Sequence, residues 1–293
     1  MFSIVIPLYN KEKYIENTIL SVINQSFDEF ELIIINDGST DNSLNIVNGF
    51  KDERIKVITV QNGGVSNARN IGVKHAQYEW IAFLDGDDYW CENYLYKAFT
   101  EIKNNTSIQV LATNYFKVYN KEDIVGLNLP TGFINSYFKT PCIHSSAIIL
   151  KKEILNYVGL FHENLKYGED QHLWFRLANF TKIFFQSIPM VYYRMDDHQI
   201  SNSSFCNKNI SNDLVFEINN LDIKVEGWEV FKLQYLFKYL RPYYICDNHL
   251  NSVKRLINEI PIKQKISLLY LFYLFPRFII KPLYKLFYSL KYT

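Results

Sequence analysis

Cysteine is scarce in this chain: Cys91, Cys142, Cys206 and Cys246 are the four present, and they stand far apart. None of them forms the close pair that a zinc site or redox motif needs, so reduced thiols in a cytosol are the expectation, and a metal, if bound, must be held by oxygen. Charge of either sign is not in excess. A net +1 over 293 residues, 48% of them apolar, describes a globular protein and excludes a disordered or nucleic-acid-coating one. Two nucleotide motifs are also missing. No Gly-x-Gly-x-x-Gly follows the first apolar run and no Gly-x-x-x-x-Gly-Lys-Ser/Thr occurs anywhere, which removes the dinucleotide oxidoreductase and P-loop NTPase readings. The opening Met-Phe-Ser-Ile-Val-Ile-Pro has no basic leader and too short an apolar run for a signal peptide, so it reads as a first strand.

What is present is alternation. Ser3 to Pro7 is a β-branched run, and Lys11 to Gln25 then places Ile15, Ile19, Val22 and Ile23 at helical spacing. Apolar strands recur at Glu31 to Ile35, Ile55 to Val60 and Glu79 to Leu84, with Ser39 to Asp41 placed to cap the helix after the second. Such a series predicts an α/β fold with a parallel sheet covered by helices on both faces. Ligands of these sheets sit outside the carboxyl ends of the strands. Tyr9-Asn10, Asn36-Asp37, Gln61 to Gly64 and Asp85 to Asp88 all fall at those ends. Further strand-like runs at Ile108 to Tyr119, Ser145 to Leu150 and Ile183 to Tyr193, and an amphipathic helix opened by Gly168-Glu169-Asp170, are expected to shape an acceptor site.

Asp85-Gly86-Asp87-Asp88 puts three carboxylates in four positions, where Gly86 permits a tight turn and repulsion calls for a counter-charge. Mn²⁺ or Mg²⁺ would supply it, because hard cations take one or two carboxylates together with substrate phosphates. A plainer reading has Asp88 capping a helix that begins near Trp90, with Asp85 and Asp87 as turn residues. The company of Asp37, the Asn62-Gly63-Gly64 loop and Arg69 on the same rim favours the nucleotide-binding reading.

Four segments carry a family likeness in order: Ser3 to Asn10, Ile35 to Asp41, Asn62 to Asn70 and Leu84 to Asp88. Together they resemble the family-2 glycosyltransferases, non-processive and of the bacterial surface-polysaccharide type, whose fold is GT-A: a Rossmann-like, mainly parallel central sheet with helices on both faces. The resemblance implies that Pro7, Tyr9, Asn10, Asp37, Asn62, Gly64, Arg69, Asp85, Gly86 and Asp87 bind a nucleotide-sugar, most simply a UDP-sugar. Within that set Asp37 would recognise the base, with Arg69 close by, and Asp87 with Asp85 would hold the metal. It thins towards Tyr167-Gly-Glu-Asp170, which looks like the family motif whose aspartate is the general base, making Asp170 the catalytic choice. Tyr193-Arg194, followed by His198 and Ser201, is similar to a loop that closes over the diphosphate, and adds His198 as a candidate metal ligand. The Gln-x-x-Arg-Trp of processive members is absent after Gln171, so one sugar per encounter is expected.

The implied chemistry is an inverting single displacement, in which an acceptor hydroxyl of a glycan or lipid-linked glycan attacks the anomeric carbon. An ordinary aspartate, with a pKa of about 3.9, cannot make an alkoxide beforehand and must take the proton as the bond forms. Acidic residues also simply favour helix N-termini, the plainer reading of Glu169 and Asp170. An inactive nucleotide-sugar binder or scaffold of the same fold stays open, whereas a sugar nucleotidyltransferase would need a glycine-rich basic motif where Pro7-Leu-Tyr-Asn-Lys11 stands.

The expected organisation is a GT-A catalytic domain over 1–205, divided into a nucleotide-sugar-binding half (1–105) and an acceptor-binding half (106–205), followed by a mostly helical region over 206–293. Beyond Glu259 no acid occurs. Ile266 to Ile280 is apolar and aromatic, is flanked by Lys263, Lys265, Lys281 and Lys285, and is interrupted by Pro276 and Arg277 before the ~20 residues of a spanning helix. This tail is read as an interfacial helix on the cytoplasmic membrane surface, or alternatively as a helix packed on protein. The expected location is cytoplasmic, peripheral at the inner face of the cell membrane.

Overall fold

The computed structural model describes residues 1–119, 122–125, 127–134, 137–139, 143–195, 210–245 and 249–260. The contacts divide these into two units, one holding the described residues up to 195 together with Ile223–Glu226, the other holding 210–222 and 227–260.

In the first unit β1 (Phe2–Leu8), α1 (Ile15–Ile23), β2 (Phe30–Asp37), α2 (Ser43–Gly49), β3 (Ile55–Val60), α3 (Val65–His75) and β4 (Trp80–Phe83) alternate as the apolar pattern requires. The four strands lie parallel in the order β3-β2-β1-β4. Both faces of β1 are covered. Ile4, Ile6 and Leu8 join Ile15, Ile19 and Val22 of α1 in the main core, while Val5 points to α3. There Gly72 lets helix and strand approach so closely that a Cβ at that position would lie 2.2 Å from a Val5 methyl. Helix α1 begins at Ile15 rather than at Lys11, because the Lys11 carbonyl is used to close the turn by accepting from the Tyr14 and Ile15 amides.

The remaining strands mix directions. After β5 (Tyr89–Trp90) and α4 (Tyr94–Asn104) come β6 (Val110–Tyr119), β7 (Glu122–Val125), β8 (Gly132–Phe133), β9 (Ile148–Lys151), α5 (Leu155–Val158), α6 (Glu169–Phe180) and β10 (Phe184–Arg194). Strand β9 sits antiparallel between β4 and β6, and β10 runs parallel to β6 with register shifts on both sides of Pro189. Buried Asn114 repairs that irregularity. Its amide donates to the carbonyls of Leu127 (2.8 Å) and Ser187 (3.0 Å), and its oxygen accepts the Leu127 N–H (3.1 Å). One local expectation and one plainer alternative are corrected here. Ser145–Ala147 is a 3₁₀ turn rather than strand, because His144 Nδ1 accepts the Ser146 N–H and caps it. Trp90 belongs to β5, antiparallel to β10, so Asp88 caps no helix.

The second unit contains α7 (Leu214–Glu217), α8 (Trp228–Ile245) and α9 (Leu250–Glu259). Asp213 caps α7 by accepting from Val215 N at 3.0 Å and also receives the Tyr243 hydroxyl. Among the described residues no helix is long and apolar enough to cross a membrane. The basic aromatic tail lies outside them.

Candidate active site

The site grows from three strand ends and one helix start. At the end of β2, Asp37 is 3% exposed. Its two oxygens accept the Gly63 and Gly64 amides at 2.7 and 2.9 Å, and Asn62 Nδ2 donates to its carbonyl at 2.9 Å. The acid thus shapes the glycine loop, and with about four acceptor positions per carboxylate it still has capacity for a ligand N–H. Asn10 adopts φ 51° and is tied to the neighbouring loop, its oxygen accepting the Thr40 N–H at 2.8 Å and its own N–H donating to Ser39 Oγ at 3.2 Å.

The Asp85–Asp88 turn separates its three carboxylates. Asp85 receives Arg69 Nη2 at 2.6 Å, and Asp87 pairs with Lys11 Nζ. Asp88, fully buried, is bound by the Ser146 hydroxyl and by the Arg194 N–H at 3.0 Å. Burial, reinforced by Asp85 and Asp87, pushes Asp88 well above the usual carboxylate range. Burial likewise lowers His144. Since His144 Nδ1 is already an acceptor for Ser146, its 4.0 Å approach to Asp88 is not an ion pair.

Across the cavity, Gly168 takes the left-handed φ of 75° that glycine tolerates and turns the chain into α6. Glu169 Oε1 receives Arg69 Nη1 at 3.2 Å. Arg69, 2% exposed, therefore bridges the carboxylate turn and the first turn of α6. Burial opposes its charge, but Asp85 and Glu169 outweigh that and raise it further. This places the guanidinium on Asp85 and Glu169 rather than on Asp37, which the sequence reading had not foreseen. Next to Arg69, Asn70 grips the approach to α6, donating to the Phe161 carbonyl and to Glu163, each at 2.9 Å, and accepting the Phe161 N–H at 2.9 Å. Burial, then the negative charge of Asp170, pushes Glu169 up to about 7 against the pull of Arg69. Asp170 follows Glu169 in the first turn of α6, with Oδ2 3.5 Å from Ser145 Oγ and Oδ1 accepting the Gln171 N–H at 2.7 Å.

These elements enclose a cavity of about 580 Å³. Pro7, Tyr9, Asp37, Asn62, Gly64, Arg69, Asp85, Gly86 and Asp87 line it, as do Lys11, Glu163 and Glu169, which sequence reasoning missed. Asn10 and Asp170 are outside the lining, and His198 lies outside the described residues. Lys11 bore no local signal, and Glu169 stood in the motif that drew attention to Asp170; each matters here through a partner distant in sequence. Among the described residues no three His, Cys, Asp or Glu side chains gather into a complete metal cage. Of the carboxylates that line the cavity, Asp85 and Asp87 share one turn, and such a pair suits a hard divalent cation shared with phosphate.

The glycosyl transferase family 2 model matches residues 3–159. The chain belongs to that family. Among its relatives, the uncharacterized glycosyltransferase EpsJ of Bacillus subtilis (strain 168) is 37% identical over 119 residues, 40% of this chain and 34% of EpsJ. The UDP-Glc:alpha-D-GlcNAc-diphosphoundecaprenol beta-1,3-glucosyltransferase WfgD of Escherichia coli is 32% identical over 211 residues, 70% of this chain and 81% of WfgD. The chain thus spans only about a third of the length of one relative and most of the other. Crystal structures of S. aureus TarS share the GT-A fold. One superposes with a TM-score of 0.69 at 23% identity, covering 90% of this chain and 50% of TarS. Another, TarS 1-349 in complex with UDP-GlcNAc, gives 0.64 at 25% identity, covering 90% and 77%.

Proposed function

We propose that this family-2 member moves one sugar from a UDP-sugar to a hydroxyl of a glycan or lipid-linked glycan, with inversion at the anomeric carbon. The observation that carries the reading is the single cavity in which the Asp37–glycine-loop cradle faces the Asp85–Asp87 turn and the first turn of α6. The UDP-GlcNAc complex of TarS and the UDP-glucose donor in the name of WfgD support a uridine donor. The lipid diphosphate in that name supports a lipid-linked acceptor.

In this reading Asp37 and the glycine loop take the base, with Tyr9 and Pro7 along its edge. Asp85 and Asp87 would hold Mn²⁺ or Mg²⁺ together with phosphate oxygens, and such an ion supplies Lewis-acid neutralisation of the departing diphosphate. Asp170 receives the acceptor hydroxyl's proton while that oxygen bonds to the anomeric carbon and the bond to the nucleoside diphosphate breaks. Helix α6 fixes Asp170, and a base positioned in this way contributes about 10² to 10⁴ in rate. Turnover of a UDP-sugar panel, with the anomeric configuration of the product read by NMR, tests this. Asp170→Asn is expected to lower kcat by about 10² to 10⁴ while leaving UDP affinity unchanged; a retained configuration would defeat the single-displacement reading.

We further propose peripheral membrane contact through the basic aromatic tail, on the strength of its Lys, Phe, Tyr and Leu content and its lack of acids. Flotation with anionic liposomes should recover the full chain and lose one truncated after Glu259, and equal behaviour of the two would refute the contact.

A further inference from the structure

Lys11 is the surprise of the site. Asp87 is 7% exposed, and among the described residues its one ion-pair partner is the Lys11 ammonium. The Lys11 backbone is pinned, with its N–H on Ser43 Oγ at 2.8 Å and its carbonyl accepting from Tyr14 and Ile15 at 2.9 Å each. The side chain is differently placed. It is 32% exposed and lines the cavity, and its stem passes Gly86, where a Cβ would come within 3.3 Å of Lys11 Cγ. A fixed base carrying a four-carbon arm, with room at its flank, is suited to deliver one charge to two places.

We infer that Lys11 is a displaceable counter-ion: it neutralises Asp87 while the cavity is empty and passes to the donor's diphosphate when a divalent cation takes Asp87. This rests on the nucleotide-sugar reading of the cavity. Two consequences have opposite sign. Lys11 competes with the cation for the Asp87 carboxylate, so it weakens binding of metal alone. Once a diphosphate is present its ammonium acts as a point-charge phosphate partner, so it strengthens binding of nucleotide with metal. A neutral side chain that merely lines the cavity would not produce this pair of opposite shifts.

The test is titration of the full chain with Mn²⁺ alone, followed by paramagnetic resonance of the free ion, and with UDP in saturating Mn²⁺, followed by calorimetry. Lys11→Met keeps the stem and removes the charge. It is expected to bind Mn²⁺ about five- to tenfold more tightly than the parent and UDP–Mn²⁺ about tenfold more weakly, in keeping with an ion pair between a partly exposed lysine and a buried aspartate and with one phosphate contact. Lys11→Arg, which keeps the charge, should stay near the parent in the Mn²⁺ titration and serves as the control for folding. Weaker or unchanged Mn²⁺ binding in Lys11→Met, with UDP–Mn²⁺ binding intact in the parent, overturns the exchange and leaves the donor-site reading standing. A parent that binds neither Mn²⁺ nor UDP–Mn²⁺ overturns both.

Discussion

The first 105 residues and the stretch from 106 to 195 belong to one unit but are built by different rules. In the first stretch β1 to β4 are parallel strands joined through helices, and Asp37 and the Asp85–Asp87 turn sit where strands end while Arg69 comes from α3. Local pattern is enough to find Asp37, the Asn62–Gly64 loop and Asp85–Asp87. In the second stretch strands run both ways, β10 is bulged at Pro189, and Asn114 stitches three segments with one amide. Position there depends on contacts between residues remote in sequence. The site arises where Arg69 and Asn70 of the regular part reach across to Glu169 and Phe161 of the irregular part.

Removing that bridge should have the largest effect. Arg69→Met strands Asp85 and Glu169 without their cation in a buried setting, and a broken buried pair costs roughly 3–5 kcal/mol. Chemical denaturation should show that loss together with loss of UDP binding. A fully stable variant would mean that the two parts hold their places independently.

Asn114→Leu sharpens the contrast from the other side. It leaves the Leu127 N–H and the Leu127 and Ser187 carbonyls without their partner, at a cost of about 1–3 kcal/mol. UDP affinity should be unchanged, because none of these groups lines the cavity. Weakened UDP binding would show that the bulge reaches the donor site.

The smallest effect concerns pH. Folding lifts Glu169 from its ordinary 4.5 to about 7, so the folded state keeps a proton that the unfolded chain releases over that interval. Stability from this group therefore falls as pH rises through the window and levels off above it. Glu169→Gln, which cannot titrate, should lose that slope. Urea midpoints at pH 5 and pH 8 should thus differ less in the variant than in the parent, and identical differences would place Glu169 in the ordinary range.

Legibility in the sequence followed the same division. Strand–helix alternation made the parallel half and most of the cavity lining readable, since burial on both faces writes long apolar runs and turn residues mark their ends. Less readable was the 3₁₀ turn at Ser145–Ala147, where the strand-like pattern that continues to Leu150 is overridden by the hydrogen bonds of His144 and Ser146. The partners Lys11 and Glu169 were missed for a related reason: a lysine after a strand and a glutamate at a helix start are ordinary locally, and only the fold brings them to Asp87 and Arg69. Asp88 looked on the plainer reading like a helix cap, yet it is turned inward to Ser146 and Arg194.

The most direct measurement of the central claim is calorimetric titration of the folded chain with UDP, with and without Mn²⁺, beside Asp87→Asn. A donor site built on the Asp85–Asp87 turn predicts saturable UDP binding that Mn²⁺ strengthens in the parent and fails to strengthen in the variant. Absence of UDP binding in the folded parent under both conditions would contradict the account.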